Sequence, residues 1–122
     1  MLNKDRKSKY YVYVIGLYPT YAKTRKAKKH NPDYIIGKPC VYVGYTSKTP
    51  EERYKQHITG YVNKKGHKIS SRIVEKFGYK RNGLRPRKYE KFNPMYSQEI
   101  AMRKEVDLAN QLRKKGYCVC QG

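Results

Sequence analysis

The chain of 122 residues has few acidic residues, few cysteines and no long apolar run. Its three cysteines, Cys40, Cys118 and Cys120, include no Cys-x-x-Cys pair, which argues against a disulfide framework and is typical of a reducing compartment. The missing paired spacing also argues against a zinc site. No stretch approaches the about 18 apolar residues of a membrane span, and the N-terminus lacks the apolar segment and cleavage site of a secretion signal. We therefore expect a cytoplasmic protein that does not bind membranes.

The scarcity of acidic residues leaves a large excess of positive charge. Lys and Arg number 29 against 9 Asp and Glu, so the formal net charge is +20 at pH 7. Self-repulsion on this scale costs stability unless a polyanion is the usual partner, whereas solubility alone requires only a few net charges. A nucleic-acid backbone is the simplest such partner, because release of its counterions supplies most of the affinity. The composition therefore predicts a nucleic-acid-binding protein.

A chain of this length builds one domain with a modest core. Residues 1–9 form a basic N-terminal arm, and 10–122 form the single domain. The basic segment 19–37 separates the first two predicted strands and is either a long hairpin loop or includes a helical turn near 22–29.

Strand and helix signals follow one another in the order β-β-α-α-α-β. The predicted strands cover 10–18, 39–45 and 116–120, which are rich in β-branched and aromatic residues. The predicted helices cover 49–59, 69–77 and the stretch between Ser97 and Gly116. This order predicts a small α+β domain, with a central antiparallel three-stranded sheet flanked by helices.

Polar side chains suited to a phosphodiester lie around the second strand and the helix after it. Tyr42 lies on the strand, and Gly44 at its end permits close approach of a ligand or another backbone. Thr49 is a good N-cap for the helix, so Arg53 and His57, four residues apart, share one helix face. A tyrosine, a guanidinium and an imidazole are groups that hold and cut phosphodiesters.

One carboxylate occupies an unusual position on the last predicted helix. The apolar stripe of this helix comprises Ala101, Met102, Leu108, Ala109 and Leu112. Glu105 completes that stripe and so faces inward, which is costly unless the carboxylate is paired or binds a cation. Two interpretations remain open: Glu105 lies at the stripe's edge and pairs with an arginine, or it binds Mg²⁺ or Mn²⁺ beside a phosphate.

The order of these features along the chain resembles that of the GIY-YIG nuclease family. The two family motifs match Tyr11-Val12-Tyr13 and Tyr42-Val43-Gly44, followed by Arg53, His57 and Glu105. Tyr11 replaces the usual glycine of the first motif, and the gap between the motifs is lengthened by the insertion 19–37. The family asparagine near the C-terminus has no clear match, and Gln121 is the candidate substitute. The resemblance covers about 10–119 and implies one GIY-YIG-like nuclease domain.

The resemblance also implies a mechanism, which is phosphodiester hydrolysis with one Mg²⁺ or Mn²⁺ ion in each active site. Glu105 would be the protein ligand of the ion, and Tyr13 and Tyr42 would position or activate the attacking water. Arg53 would stabilise the phosphate and lower the pKa of the tyrosine base, while His57 would assist proton transfer.

Further basic residues are candidates for contacts with the nucleic-acid backbone. These are Lys38, Lys55, His67, Lys68, Arg72, Arg81, Arg85 and Arg87.

The leading prediction is therefore a divalent-metal-dependent DNA endonuclease, with substrates that include branched or damaged DNA. We expect no separate recognition domain within 122 residues, so either the intrinsic sequence preference is weak or specificity comes from a homodimer or a partner protein. The alternative from another class is a non-catalytic basic module that binds DNA or RNA, and cleavage of RNA also stays open.

Overall fold

Three short runs of β-branched and aromatic residues form the central sheet. The computed structural model describes residues 8–68 and 70–122. Within these residues the strands are β1 (Tyr11–Leu17), β2 (Cys40–Thr46) and β3 (Cys118–Gln121). The α-helices are α1 (Arg25–His30), α2 (Pro50–Thr59), α3 (Arg72–Phe77) and α4 (Gln98–Lys114). Short 3-10 turns occupy Pro19–Lys23, Pro86–Lys88 and Glu90–Phe92. In this part of the chain no helix is long and apolar enough to cross a membrane.

The sheet has the strand order β1-β2-β3 and is mixed rather than antiparallel. β1 and β2 are antiparallel, with Tyr13 opposite Gly44, whereas β2 and β3 are parallel, with Cys40 opposite Cys118. A small α+β domain with three strands flanked by helices is thus confirmed, but an antiparallel third strand was the wrong prediction. The chain between β2 and β3 includes three helices, which is long enough for the crossover that a parallel pair requires.

The second predicted helix is shorter than expected. The prediction placed it over 69–77, while α3 runs from Arg72 to Phe77 with Ser71 as its N-cap. Ile69 lies outside the described residues, and so do residues 1–7 of the predicted N-terminal arm.

The segment 19–37 is partly helical, which agrees with the interpretation that placed a helical turn near 22–29. Thr24 caps α1, and Asn31, which follows that helix, is 5% exposed. The Asn31 side chain accepts a hydrogen bond from the Val119 N–H at 2.8 Å and donates one to the Val119 carbonyl at 3.0 Å. The segment thus satisfies backbone groups on the outer edge of β3, which would otherwise be an unpaired strand edge.

The opposite edge of the sheet is covered by the chain after α3. Gly16 N–H donates to the Gly83 carbonyl and Arg85 N–H donates to the Val14 carbonyl, at 2.7 and 2.9 Å. Both faces of the sheet are packed as well, and all three cysteines are free and buried in the core.

Candidate active site

Two tyrosines and a histidine meet on one face of the sheet. Tyr13 lies directly opposite Gly44, and a Cβ atom at Gly44 would stand 2.7 Å from the Tyr13 hydroxyl oxygen. A glycine is therefore required there to make room for the Tyr13 side chain. The ring centroids of Tyr13 and Tyr42 are 6.2 Å apart. The ring centroid of His57 lies 6.0 Å from that of Tyr13 and 5.4 Å from that of Tyr42.

His57 is placed by the local sequence of α2. Thr49 and Glu52 form a reciprocal capping box at the start of this helix, and Pro50 occupies its first turn. The cap fixes where the helix begins and hence which face carries His57, which is 0% exposed. Its Nε2 lies 3.0 Å from the Tyr13 hydroxyl, and its Nδ1 accepts a hydrogen bond from the Ser71 backbone N–H at 2.9 Å.

These two hydrogen bonds assign the tautomer of His57. A backbone N–H can only donate, so Nδ1 must be unprotonated. Burial, followed by the charge of Arg53, lowers the pKa of His57 to about 4, so the ring is neutral near pH 7. Its single proton is therefore on Nε2 and is donated to the Tyr13 oxygen. In this state His57 presents no lone pair to Tyr13 and cannot accept the tyrosine's proton.

The buried His57 should make stability depend on pH. The unfolded chain binds a proton near the ordinary histidine pKa of about 6.5, whereas the folded chain binds it only near pH 4. This contribution to stability is thus fully present above the unfolded pKa and is lost as the pH falls from about 6.5 toward about 4. Urea unfolding between about pH 7.5 and about pH 5 should show a decline that His57→Gln largely removes, at up to about 1.4 kcal/mol per pH unit.

The exposed His67 supplies the matched control for this titration. His67→Gln should retain the decline seen in the native protein. Equal declines in His57→Gln and the native protein would contradict the neutral, buried state of His57.

Both tyrosine hydroxyls of the site have raised pKa values. Burial is the largest cause for each, and it outweighs the opposing effect of the Arg53 guanidinium. The sequence-based expectation that Arg53 lowers the pKa of the tyrosine below its ordinary value is therefore not met in the free protein. Tyr13 and Tyr42 are protonated near pH 7 and can donate hydrogen bonds.

Arg53 lies one helical turn before His57 on the same side of α2. It is half-buried, hydrogen-bonds the Tyr13 side chain, and donates from Nη1 to Gln56 Oε1 at 3.1 Å. Its charge also acts to lower the pKa values of Tyr42 and His57, so one guanidinium influences the protonation of all three rings.

Glu105 lies on α4 and contributes a carboxylate to the site. Its side chain is 6% exposed, and burial raises its pKa even though hydrogen bonds from Gln121 and the Tyr45 backbone act in the opposite direction. Its charge is close enough to raise the pKa of both Tyr13 and Tyr42. The ion pairs within the described residues are Lys68–Glu75 and Arg103–Glu99. Neither of these pairs includes Glu105, so they give no support to the interpretation in which an arginine neutralises this carboxylate.

The environment of Glu105 fits a hydrated hard cation. A buried carboxylate that accepts only two weak or neutral hydrogen bonds has oxygen lone pairs left for a metal ion. No group of three or more potential His, Cys, Asp or Glu ligands occurs in the part of the chain that the structure covers. Glu105 is therefore a side chain of this site that could hold such an ion.

The predicted nucleic-acid contacts fall into two groups. Six of these side chains are exposed without a strong internal role, namely Lys38, Lys55, His67, Arg72, Arg81 and Arg87. Lys68 pairs with Glu75 at 2.8 Å. Arg85 is half-buried, lies over Gly16 and the Tyr79 ring, and donates to the Asn82 and Leu84 carbonyls. Arg85 therefore fixes the loop along β1.

Sequence reasoning missed two residues that act on the site from a distance. The Ser71 amide sets the His57 tautomer, but only the N-cap role of Ser71 is visible in the sequence. Arg113 donates from Nη1 to Gln121 Oε1 at 2.7 Å, and Gln121 Nε2 lies 3.5 Å from Glu105 Oε2. Gln121, the predicted substitute for the family asparagine, thus reaches Glu105.

Comparison with known proteins agrees with this arrangement. The sequence matches the family model of the GIY-YIG catalytic domain over residues 34–117. The matched region includes Tyr42, Arg53, His57 and Glu105, while Tyr13 lies before it. Neither the curated proteins nor the solved structures gave a significant match. The chain therefore belongs to the GIY-YIG family, which is a family of nucleases that hydrolyse phosphodiester bonds.

Proposed function

We propose that the protein is a divalent-metal-dependent endonuclease that hydrolyses phosphodiester bonds in DNA. The observation that carries the proposal is Glu105, a buried carboxylate that takes part in neither the Lys68–Glu75 nor the Arg103–Glu99 ion pair. It lies close enough to Tyr13 and Tyr42 to raise the pKa of each hydroxyl. A protein that only binds nucleic acid gains nothing from a buried negative charge at this point.

Positive charge and hydrogen-bond donors would hold the scissile phosphate. Arg53 supplies a planar guanidinium suited to two phosphate oxygens at once. Tyr42, whose hydroxyl is protonated, adds a neutral donor from β2. The net charge of +20 and the exposed basic residues would attract the rest of the strand.

Tyr13 is the residue best placed to act on the attacking water. Its oxygen already accepts the His57 Nε2 proton, so its own O–H is free to point toward a water or a phosphate oxygen. Protonated Tyr13 can orient the water, and ionised Tyr13 can accept the proton that the water loses on attack. In the ionised state the His57 N–H and Arg53 would stabilise the tyrosinate, so His57 assists proton transfer while staying neutral.

Glu105 would hold one Mg²⁺ or Mn²⁺ ion, in keeping with the general metal dependence of the family's nucleases. An ion held by Glu105 would supply Lewis-acid stabilisation of the negative charge that develops during hydrolysis.

A cleavage panel tests the proposal. Purified protein should nick or cut at least one of supercoiled, flapped, four-way or single-stranded DNA in the presence of Mg²⁺ or Mn²⁺, and EDTA should abolish cleavage. A matched RNA strand in the same panel decides the sugar preference. Salt-sensitive binding to every substrate without cleavage of any would overturn the proposal and favour a non-catalytic binding module.

A further inference from the structure

A basic cavity at the outer edge of β3 lies beside the site described above and shares Arg113 and Gln121 with it. Its volume is about 320 Å³, and its lining includes Tyr21, Lys26, His30, Arg113 and Gln121. We propose that this cavity binds a second phosphate of the substrate strand and so sets the position of that strand against Glu105. This inference rests on the proposed nuclease function and extends it to a second contact point.

The lining of the cavity favours an anion. Three of its side chains are basic, and none of its described lining residues is acidic. Arg113 donates to the side chains of Asn31, Asn110 and Gln121 and to the Val119 carbonyl, which are all neutral, and the ion pairs within residues 8–68 and 70–122 do not involve it. Its positive charge is therefore available to a phosphate group.

The cavity wall also holds a polar group with unused capacity. The Tyr21 side chain is 0% exposed, and its hydroxyl makes no regular hydrogen bond to the described residues. The weakly hydrogen-bonding Cys120 thiol lies beside it. Burial raises the pKa of Tyr21, so its hydroxyl adds no negative charge to the cavity wall near pH 7.

Hydrogen bonds connect this cavity to the proposed metal ligand. Arg113 has only donors, so the Gln121 atom that it contacts at 2.7 Å must be the amide oxygen. The Gln121 amide nitrogen then faces Glu105, at 3.5 Å from Oε2. A phosphate bound beside Arg113 is therefore separated from Glu105 by one side chain.

The cavity gives the segment 19–37 a function. Lys26 and His30 come from α1, and Asn31 fixes this helix to β3 while also accepting from Arg113 Nε at 3.2 Å. The insertion would thus add a phosphate contact that a short hairpin between β1 and β2 could not provide.

Metal-free NMR titration provides the test, with the Arg113 Nε–H and Gln121 amide resonances as reporters. Inorganic phosphate and a short thymidine oligonucleotide are the two probes, and a methylphosphonate version of the oligonucleotide lacks the backbone charge. We expect saturable shifts of the Arg113 resonance with the charged oligonucleotide and none with its methylphosphonate version. Lys26→Gln should weaken this binding about tenfold. Lys29→Gln removes the same charge from an exposed position on α1 outside the cavity lining, and should weaken binding by less than about twofold.

The possible outcomes distinguish the proposed phosphate position from the proposed nuclease activity. An unmoved Arg113 resonance, or equal effects of Lys26→Gln and Lys29→Gln, would overturn the phosphate position even if the protein cleaves DNA. A response to inorganic phosphate without a response to the oligonucleotide would overturn the strand contact in favour of a free-phosphate site. Shifts as expected in a protein that cuts no substrate would support the position and overturn only the nuclease activity.

Discussion

Glu105→Gln should abolish cleavage while leaving nucleic-acid binding and the fold intact. Gln preserves the size of the side chain but removes the charge that would hold the metal ion. Metal stabilisation of the transition state is worth several kcal/mol, so the cleavage rate should fall at least about a thousandfold. Single-turnover cleavage with saturating DNA measures this loss, and metal-free DNA binding shows whether the surface is unchanged.

The same substitution should not destabilise the protein at alkaline pH. The pKa of Glu105 is raised in the folded state, so any contribution of this group to stability is present below the unfolded pKa and is lost as the pH rises through the folded pKa. Above that pH the native protein contains a buried unpaired charge that Glu105→Gln lacks. Without metal at about pH 8, the variant should therefore unfold at an equal or higher urea concentration.

Glu99→Gln is the matched control for both measurements. Glu99 lies on the same helix, is exposed, and pairs with Arg103 at 3.4 Å, so its loss should leave cleavage unchanged and stability within about 0.5 kcal/mol. If Glu105→Gln lost binding and stability together, Glu105 would be a structural residue rather than a metal ligand.

Tyr13→Phe should reduce both activity and stability. The phenylalanine ring fills the same space opposite Gly44, but the His57 Nε2–H is left buried without an acceptor. Such a group costs about 1–3 kcal/mol, which urea unfolding would measure. The cleavage rate should fall about a hundredfold to a thousandfold, because the group that we propose orients the water is missing.

Tyr96→Phe removes the same hydroxyl from an exposed position and should change neither quantity. A Tyr13→Phe variant that is less stable but cleaves at the native rate would show that Tyr13 only supports His57. Tyr42 would then be the residue that acts on the water.

Local sequence was sufficient to predict the elements that present the site. The cap at Thr49 and the glycine at Gly60 define α2, so the shared face of Arg53 and His57 follows from helix geometry alone. The inward position of Glu105 follows from its place in an apolar stripe, since a helix repeats every 3.6 residues. These features depend on neighbours within about two helical turns, which the sequence contains directly.

Contacts between distant parts of the chain were beyond such reasoning. The parallel pairing of β3 depends on the path taken by the chain through three helices. The structural role of Arg85 depends on Gly16 in β1, which lies 85 − 16 = 69 residues earlier in the chain. Neither residue type nor spacing distinguishes this arginine from the exposed ones.

The sequence alone was enough to predict a nuclease-type chemistry and a nucleic-acid substrate for this protein. A net charge of +20, two tyrosine strands and the order Arg53, His57, Glu105 indicate a phosphodiester site, because side-chain chemistry and short-range geometry do not depend on the rest of the fold. Only the tertiary structure decided the protonation states and the connections around that site. The Ser71 amide determines which nitrogen of His57 carries the proton, and burial outweighs Arg53 in its effect on the tyrosine pKa values. Hydrogen bonds from Arg113 to Asn31 and Gln121 connect the insertion to the neighbour of Glu105. Solvation and hydrogen bonding depend on which distant residues meet, and that is settled only when the chain has folded.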